Sequence, residues 1–160
     1  MTTIRKRFDD VAGKVCEALI PVRHESFKGR GGDVAVCTLG SIDLLEEIST
    51  SELMDRVAIA GRLLSENRGI DAIIDYVSEH PDLKRIVVCG KEVKGHMARQ
   101  ALMALYKNGI DRQGRIIGAK GPYPILSSPL EKVDAFRRQV AIVADMVGVT
   151  DLEKIKPLLL

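Results

Sequence analysis

The chain has 160 residues, a length typical of a single domain with a well-formed core. Its 24 Lys and Arg residues nearly balance its 22 Asp and Glu residues, and only 4% of its residues are aromatic, which argues against nucleic acid or anionic lipid as a partner. No apolar stretch resembles a signal peptide or reaches the ~20 residues of a membrane span, and Cys16, Cys37 and Cys89 are too widely spaced for a disulfide framework or a zinc site, so a cytoplasmic protein is expected.

Residues 1–30 differ in character from the rest of the chain. They predict an N-terminal helical arm, with a helix over 8–20 followed by the basic, glycine-rich stretch FKGRGG, interpreted as an arm or linker. Residues 31–160 predict one compact domain.

Short apolar runs alternate with helical patterns along this domain. Strands are predicted at DVAVCTL from Asp33, at RVAIAG, at RIVVCG and at RIIGA, the last over 115–119. Helices are predicted at GIDAIIDYVSEH, at HMARQALMALYKNG, over 130–146 and near Thr150. The alternation predicts a Rossmann-like α/β fold, with a parallel sheet covered by helices on both faces.

Ligands of such sheets bind at the carboxyl ends of the strands, which here continue into four glycine-containing loops. Glycine lets a backbone approach a large flat or phosphate-bearing ligand, although glycines after strands are also common turn formers. Neither a GxGxxG fingerprint nor a GxxxxGK[ST] loop is present, so NAD and nucleoside triphosphates lack sequence support. The residues predicted to contact the ligand are Thr38, Leu39, Gly40, Ser41, Ser65, Asn67, Gly90, Glu92, Val93, Gly95, Gln100, Gly118, Ala119, Gly121, Pro122 and Tyr123.

Of the three histidines, His96 has the most informative position. It follows a glycine after the most central-looking strand, where its imidazole can face the crevice, and a ligand or acid–base role there is weighed equally against a solvent-facing side chain. His24 lies in the arm and His80 at a helix end, so both are interpreted as structural or solvated. One histidine without a second ligand motif does not enclose a bare zinc ion, so any metal is expected inside a macrocycle.

A metal-binding histidine usually donates its other ring nitrogen to an oxygen acceptor. Glu66 and Glu92 are the candidate carboxylates, with Ser65 and Thr38 as hydroxyl alternatives. Glu66 could instead be a helix N-terminal charge, and Glu92 a solvated surface charge. We favour Glu66, and expect Glu92 to point toward solvent.

A set of phrases in these loops carries a family resemblance. The phrases are AVCTLGS at 35–41, AIAG at 58–61, SENRGID at 65–71, CGKEVKGH at 89–96, NGID at 108–111 and GRIIGA at 114–119. In this order, over roughly 33–150, the chain resembles the corrinoid-carrying A subunit of the methyltetrahydromethanopterin:coenzyme M methyltransferase of methanogenic archaea.

The resemblance implies a cobalamin or another cobamide as cofactor, with His96 as the lower axial ligand of cobalt and Glu66 as its partner. It implies a carrier that accepts a methyl group from methyltetrahydromethanopterin on cobalt, passes it to coenzyme M and needs partner subunits for turnover. Two alternatives stay open: a protein that stores or delivers corrinoid without turnover, and a small α/β enzyme that uses His96 as acid–base on a nucleotide-like substrate.

The chain also departs from the family pattern. Arg99 stands where relatives tend to have glycine, and Lys120, Pro122 and Tyr123 alter the loop after the fourth predicted strand, so the corrin is expected to be seated differently. The membrane anchor that typically follows this domain is missing, which predicts a free cytoplasmic homologue. The Asp-x-His-x-x-Gly motif of common B12-binding domains is also absent, which predicts a different binding mode.

Overall fold

The computed structural model describes residues 26–160, and its elements confirm the predicted α/β fold. The strands are β1 (Ser26–Lys28), β2 (Val34–Cys37), β3 (Ile59–Gly61), β4 (Arg85–Gly90) and β5 (Ala141–Val147). The helices are α1 (Ile42–Ser49), α2 (Arg68–Glu79), α3 (Ala98–Asn108), α4 (Leu130–Gln139) and α5 (Leu152–Ile155), with 3₁₀ helices at Glu52–Asp55 and Lys156–Leu158. No helix within 26–160 combines the length and the apolar character needed to cross a bilayer.

The five strands form one sheet in the order β1-β3-β2-β4-β5. β3, β2, β4 and β5 are parallel, and β1 pairs antiparallel with β3 at one edge. After β2 the chain moves to β3 on one side, and then returns to β4 on the other side of β2. The order therefore reverses between β2 and β4, which is where sheets of this kind open a crevice for ligands.

Helices cover both faces of the sheet, as predicted. Alternate residues of the central strands, such as Ala35 and Ile86, pack with α2, α3 and α4 on one face. Their neighbours Val36 and Val87 pack on the other face with α1, Ile155 and the C-terminal residues. Both faces are buried because β2 and β4 are apolar at successive positions.

The predicted fourth strand over 115–119 is wrong. This segment makes only two isolated antiparallel bridges, Ile110 with Ile116 and Arg115 with Ile125. Within the run only Ile116 is buried, and Gly118 adopts a positive φ that interrupts an extended run. Residues 109–129, here called the return segment, lead from α3 to α4 outside the sheet.

The predicted helix over 130–146 is also wrong in its second half. α4 ends at Gln139, and the following residues form β5, an edge strand paired with β4. Val140, Val143 and Val147 fit a helical spacing, but the run AIVADMV equally fits a strand with β-branched residues. This run, rather than RIIGA, forms the strand that pairs with β4.

Most of the predicted arm lies outside the described residues, including the helix over 8–20. The stretch FKGRGG is docked rather than a free linker, because Gly29 and Gly31 donate backbone hydrogen bonds of 2.9 Å to Ala58 and Val57. A Cβ on Gly29 would lie 2.0 Å from the Val57 carbonyl oxygen. The division at residue 30 stays a prediction. Helix α1 was not predicted, whereas the short helix near Thr150 is confirmed as α5.

Candidate functional site

His96 and Glu66 meet at the carboxyl edge of the sheet. The Nδ1 atom of His96 lies 2.9 Å from Oε2 of Glu66. The Glu66 side chain is 2% exposed, whereas that of His96 is 43% exposed. The pair therefore combines a buried carboxylate with an imidazole that reaches solvent.

Glu66 is held in place by its neighbours in the chain and by the return segment. The side chains of Ser65 and Asn67 accept backbone hydrogen bonds of 3.0 and 2.7 Å from the first turn of α2, so both cap this helix. The second carboxylate oxygen, Oε1, accepts the N–H of Tyr123 at 3.3 Å. A Cβ on Gly121 would lie 3.0 Å from the same oxygen. Glycine at 121 thus allows the return segment to pass closely over the carboxylate.

Side chains from two helices fasten the return segment. Gln100 donates to the carbonyl of Gly118 and accepts the N–H of Lys120, both at 2.9 Å. At the other end, the Asp71 carboxylate accepts from the backbone of Ser127 at 2.9 Å, and from the backbone and hydroxyl of Ser128 at 3.0 and 2.6 Å. These bonds fix the part of the segment that contacts Glu66.

The loop that carries His96 is held differently. Glu92 was expected to point toward solvent, but it is bound within the protein. Its carboxylate oxygens lie 3.1 and 3.3 Å from the backbone nitrogen of Arg99 at the start of α3. Burial raises the pKa of Glu92. Gly95 has a φ of 83° with open space around it. The loop is thus anchored at its ends and open in its middle.

Several residues predicted to contact a ligand also join strands and loops to one another. Thr38 and Leu39 are fully buried, and Thr38 donates its N–H to Gly61 at 2.8 Å. Gly90 has a φ of 77°, and a Cβ there would lie 2.2 Å from the Thr38 carbonyl oxygen. The Ser41 hydroxyl accepts the N–H of Lys91 at 2.9 Å. Close packing between the loops after β2 and β4 therefore explains Gly90 without a ligand.

The remaining predicted residues belong to the loops after β2 and β4 and to the return segment. Val93 packs near Gly40, where a Cβ would lie 2.9 Å from Val93 Cγ2. Ala119 packs against the core, and Pro122 and Tyr123 are exposed. Gly95, Gly118 and Met97 are exposed as well.

The sequence interpretation missed two residues that organise the site. Asp71 lies in the phrase SENRGID, which could have pointed to it. Asp145 binds the guanidinium of Arg99, with Nε and Oδ1 3.0 Å apart, and it could not be found while its segment was taken for a helix. The buried thiols take no comparable part: burial raises the pKa of Cys37 and Cys89 to about 12, so neither is a thiolate near neutral pH.

Comparison with known proteins gives a consistent family. The family model for the A subunit of tetrahydromethanopterin S-methyltransferase matches residues 26–159. The A 2 subunit of that enzyme from Methanothermobacter thermautotrophicus is 44% identical over 76% of this chain and 64% of its own length. The A subunit of the putative methyltransferase Mtx from Methanosarcina acetivorans is 35% identical over 89% of this chain and 68% of its own length.

A further relative, the A subunit of tetrahydromethanopterin S-methyltransferase from Methanocaldococcus jannaschii, is 39% identical over 76% of this chain but only 49% of its own length. The chain thus spans between about half and two thirds of these relatives. The matched region contains every element from β1 to α5, together with His96 and Glu66. The chain belongs to the family formed by the A subunits of tetrahydromethanopterin S-methyltransferase.

Proposed function

We propose that this chain is a corrinoid-binding methyl carrier that acts with partner subunits of a methyltransferase. His96 is the protein ligand of cobalt, and Glu66 positions its imidazole. The observation that carries the proposal is the 2.9 Å contact between the buried Glu66 carboxylate and Nδ1 of His96. Family membership supports the methyl-transfer role.

The contact supports one particular tautomer of His96. A carboxylate at Nδ1 keeps the ring proton on that nitrogen, which leaves the lone pair on Nε2, at the far side of the ring. An imidazole oriented in this way is a typical metal ligand. Because 43% of the His96 side chain is exposed, a large ligand can approach the ring from solvent.

The surroundings of His96 fit a flat macrocycle. A corrin brings most of the ligands of its own metal, so a single protein nitrogen, that of His96, would be enough to hold it. Exposed apolar surface is available beside the ring, since Met97 is 38% and Tyr123 48% exposed. A bound corrinoid supplies a cobalt centre that takes and releases a methyl group, while the protein binds and orients it.

The residues of the chain then have separate tasks. His96 binds the cofactor, Glu66 holds the proton of Nδ1, and the N–H of Tyr123 holds the second oxygen of Glu66. Gly121 leaves the space that this arrangement requires. The carboxylate is therefore fixed from the side of the return segment, and His96 is oriented against a rigid acceptor.

The axial-ligand assignment is tested by reconstituting the protein with cob(II)alamin and recording its electron paramagnetic resonance spectrum. Protein labelled with ¹⁵N-histidine is expected to show a changed nitrogen splitting, and His96→Ala is expected to abolish it. His80→Ala is the matched control, because His80 bonds the Tyr76 carbonyl at the C-terminal end of α2, away from the site. Labelled and unlabelled protein with identical spectra would refute cobalt ligation by His96.

The role of Glu66 is tested by Glu66→Gln. Loss of such a supporting carboxylate typically lowers metal affinity about 10- to 100-fold.

Failure of the parent protein to bind any corrinoid would favour the acid–base alternative instead. Corrinoid binding without methyl transfer in the presence of partner subunits would favour storage or delivery.

A further inference from the structure

We infer that Arg99 is a positioning residue for His96. The contacts of Arg99 with Asp145 and Glu92, here called the clasp, hold the start of α3 and keep the His96 loop, residues 91–97, in place over Glu66. The inference deepens the proposed function, and only its cofactor measurement depends on that function.

The first half of the clasp joins α3 to the sheet. The guanidinium of Arg99 makes two hydrogen bonds to the Asp145 carboxylate, Nε to Oδ1 at 3.0 Å and Nη2 to Oδ2. Asp145 lies within β5, where it pairs with Val88 of β4. The two side chains are 32% and 24% exposed, so the pair is partly shielded from water. The start of α3 is therefore attached to a strand of the sheet.

The second half of the clasp closes the loop on itself. Met97, at the N-cap of α3, makes no side-chain capping bond. The Glu92 carboxylate supplies an acceptor instead, at 3.1 and 3.3 Å from the Arg99 backbone nitrogen. The backbone N–H of Arg99 thus binds Glu92 of the loop, and the side chain of Arg99 binds Asp145 of the sheet.

The His96 loop has few other means of holding its shape. Lys94, Gly95, His96 and Met97 are all exposed. A backbone hydrogen bond of 3.1 Å joins the His96 N–H to the Val93 carbonyl. Because the middle of the loop is exposed, the position of His96 depends on how firmly the ends are anchored.

Arginine suits this position better than lysine. Its planar fork makes two bonds to one carboxylate, which fixes an orientation as well as a distance, whereas an ammonium is a point charge on a flexible stem. The Arg99 hydrogen bond holds the pKa of Asp145 below its usual range, so the pair stays ionised at neutral pH. Replacement by lysine keeps the charge but removes the fork.

The clasp is tested by amide hydrogen exchange of the intact protein. Asp145→Asn and Arg99→Lys are each expected to speed exchange of the His96 amide about 3- to 10-fold, the range expected when one partly shielded ion pair is lost. Asp75→Asn is the matched control, because it breaks the Lys132–Asp75 ion pair between α4 and α2. Exchange at His96 should be unchanged in that variant.

The second measurement is the affinity for cobalamin, expected to fall about 3- to 10-fold in Asp145→Asn and Arg99→Lys and to stay constant in Asp75→Asn. Parental exchange rates at His96 in folded Asp145→Asn and Arg99→Lys would overturn the inference. If the parent protein does not bind cobalamin, the proposed function fails, and exchange at His96 still decides whether the clasp exists.

Discussion

Two loops meet at Glu66, and they are built in opposite ways. The return segment is anchored by the buried side chains of Ile116 and Leu126, and by hydrogen bonds with side chains of α2 and α3. The His96 loop is exposed along its middle, where His96 contacts Glu66 and the Val93 carbonyl, and it is otherwise anchored near its ends. The comparison indicates that the Glu66 carboxylate is held by the well-anchored return segment, whereas the His96 imidazole lies on the less firmly anchored loop.

The glycines of the two loops show the same contrast. Gly121 is needed because a side chain there would press on Glu66, with distances of 3.0 to 3.2 Å to three carboxylate-end atoms. Gly95 is needed for its backbone conformation, since its φ is 83° and a Cβ there would meet open space. One glycine serves packing and the other serves a turn.

The largest expected effect comes from unfastening the return segment at Asp71. Asp71→Ala removes the acceptor of three hydrogen bonds, two of them from Ser128, which is 9% exposed. Hydrogen bonds to a charged group contribute roughly 1.5–3 kcal/mol, and N–H groups left without an acceptor add to the cost. We expect the free energy of unfolding to fall by about 3 kcal/mol, measured by urea denaturation.

The control for this variant is Asp75→Ala, one turn further along α2. Asp75 forms an exposed ion pair with Lys132, and such pairs contribute about 0–1 kcal/mol. Equal losses in the two variants would show that the return segment is not specifically fastened by Asp71, and the contrast between the loops would then weaken.

Much of the fold could be predicted because its central strands are continuous apolar runs. RIVVCG was predicted with the bounds it has in the structure, and the helix after it ends at Asn108 as the Asn-Gly pair indicated. The two wrong predictions, a strand over 115–119 and a helix over 130–146, both concern the strand beside β4. The runs RIIGA and AIVADMV both have strand-forming residues, and local pattern alone does not decide which one pairs with β4.

The contact between His96 and Glu66 could also be predicted from the order of the strands. Topology brings the loops after β3 and β4 to one edge, so His96 and Glu66 could be paired from the sequence. The roles of the glycines could not be read in the same way, because Gly90 packs on a carbonyl and Gly121 on a carboxylate. Asp145 required knowledge of β5, which depends on pairing between distant segments.

The second prediction compares Gly121→Ala with Gly95→Ala. A methyl group at 121 would displace Glu66 by a few tenths of an ångström, because the nearest atom lies 3.0 Å away. We expect cobalamin affinity to fall about 10-fold, the lower end of the effect of disturbing a supporting carboxylate. Titration of the visible absorption spectrum measures this change.

Gly95→Ala should behave differently, because the residue has room for a methyl group but a strained φ. Its cost should be about 1 kcal/mol of unfolding free energy, with cobalamin affinity changed less than in Gly121→Ala. The reverse ranking of affinities would mean that the backbone of the His96 loop, rather than the packing of the return segment against Glu66, limits cofactor binding.

The smallest expected effect comes from Glu92, the carboxylate that caps the His96 loop. Glu92→Ala leaves the Arg99 N–H without its acceptor, and loss of a helix cap costs about 1 kcal/mol of unfolding free energy. Glu92→Gln keeps an oxygen acceptor in the same place, so its cost at neutral pH should be only a few tenths of a kcal/mol. A loss in Glu92→Gln as large as in Glu92→Ala would show that the charge, rather than the acceptor, holds the loop.

The pH dependence of Glu92→Gln sharpens this test. Burial raises the pKa of Glu92 in the folded protein, so the folded state retains this proton at pH values where the unfolded chain has released it. The parent protein should therefore lose unfolding free energy relative to Glu92→Gln as the pH rises through the ordinary carboxyl pKa, roughly 4.3, toward neutral. Because Glu92 is only partly buried, the change should be a few tenths of a kcal/mol. Urea denaturation of both proteins across this range measures it, and a difference that grows in favour of the parent protein would mean that the bonds to Arg99 outweigh burial.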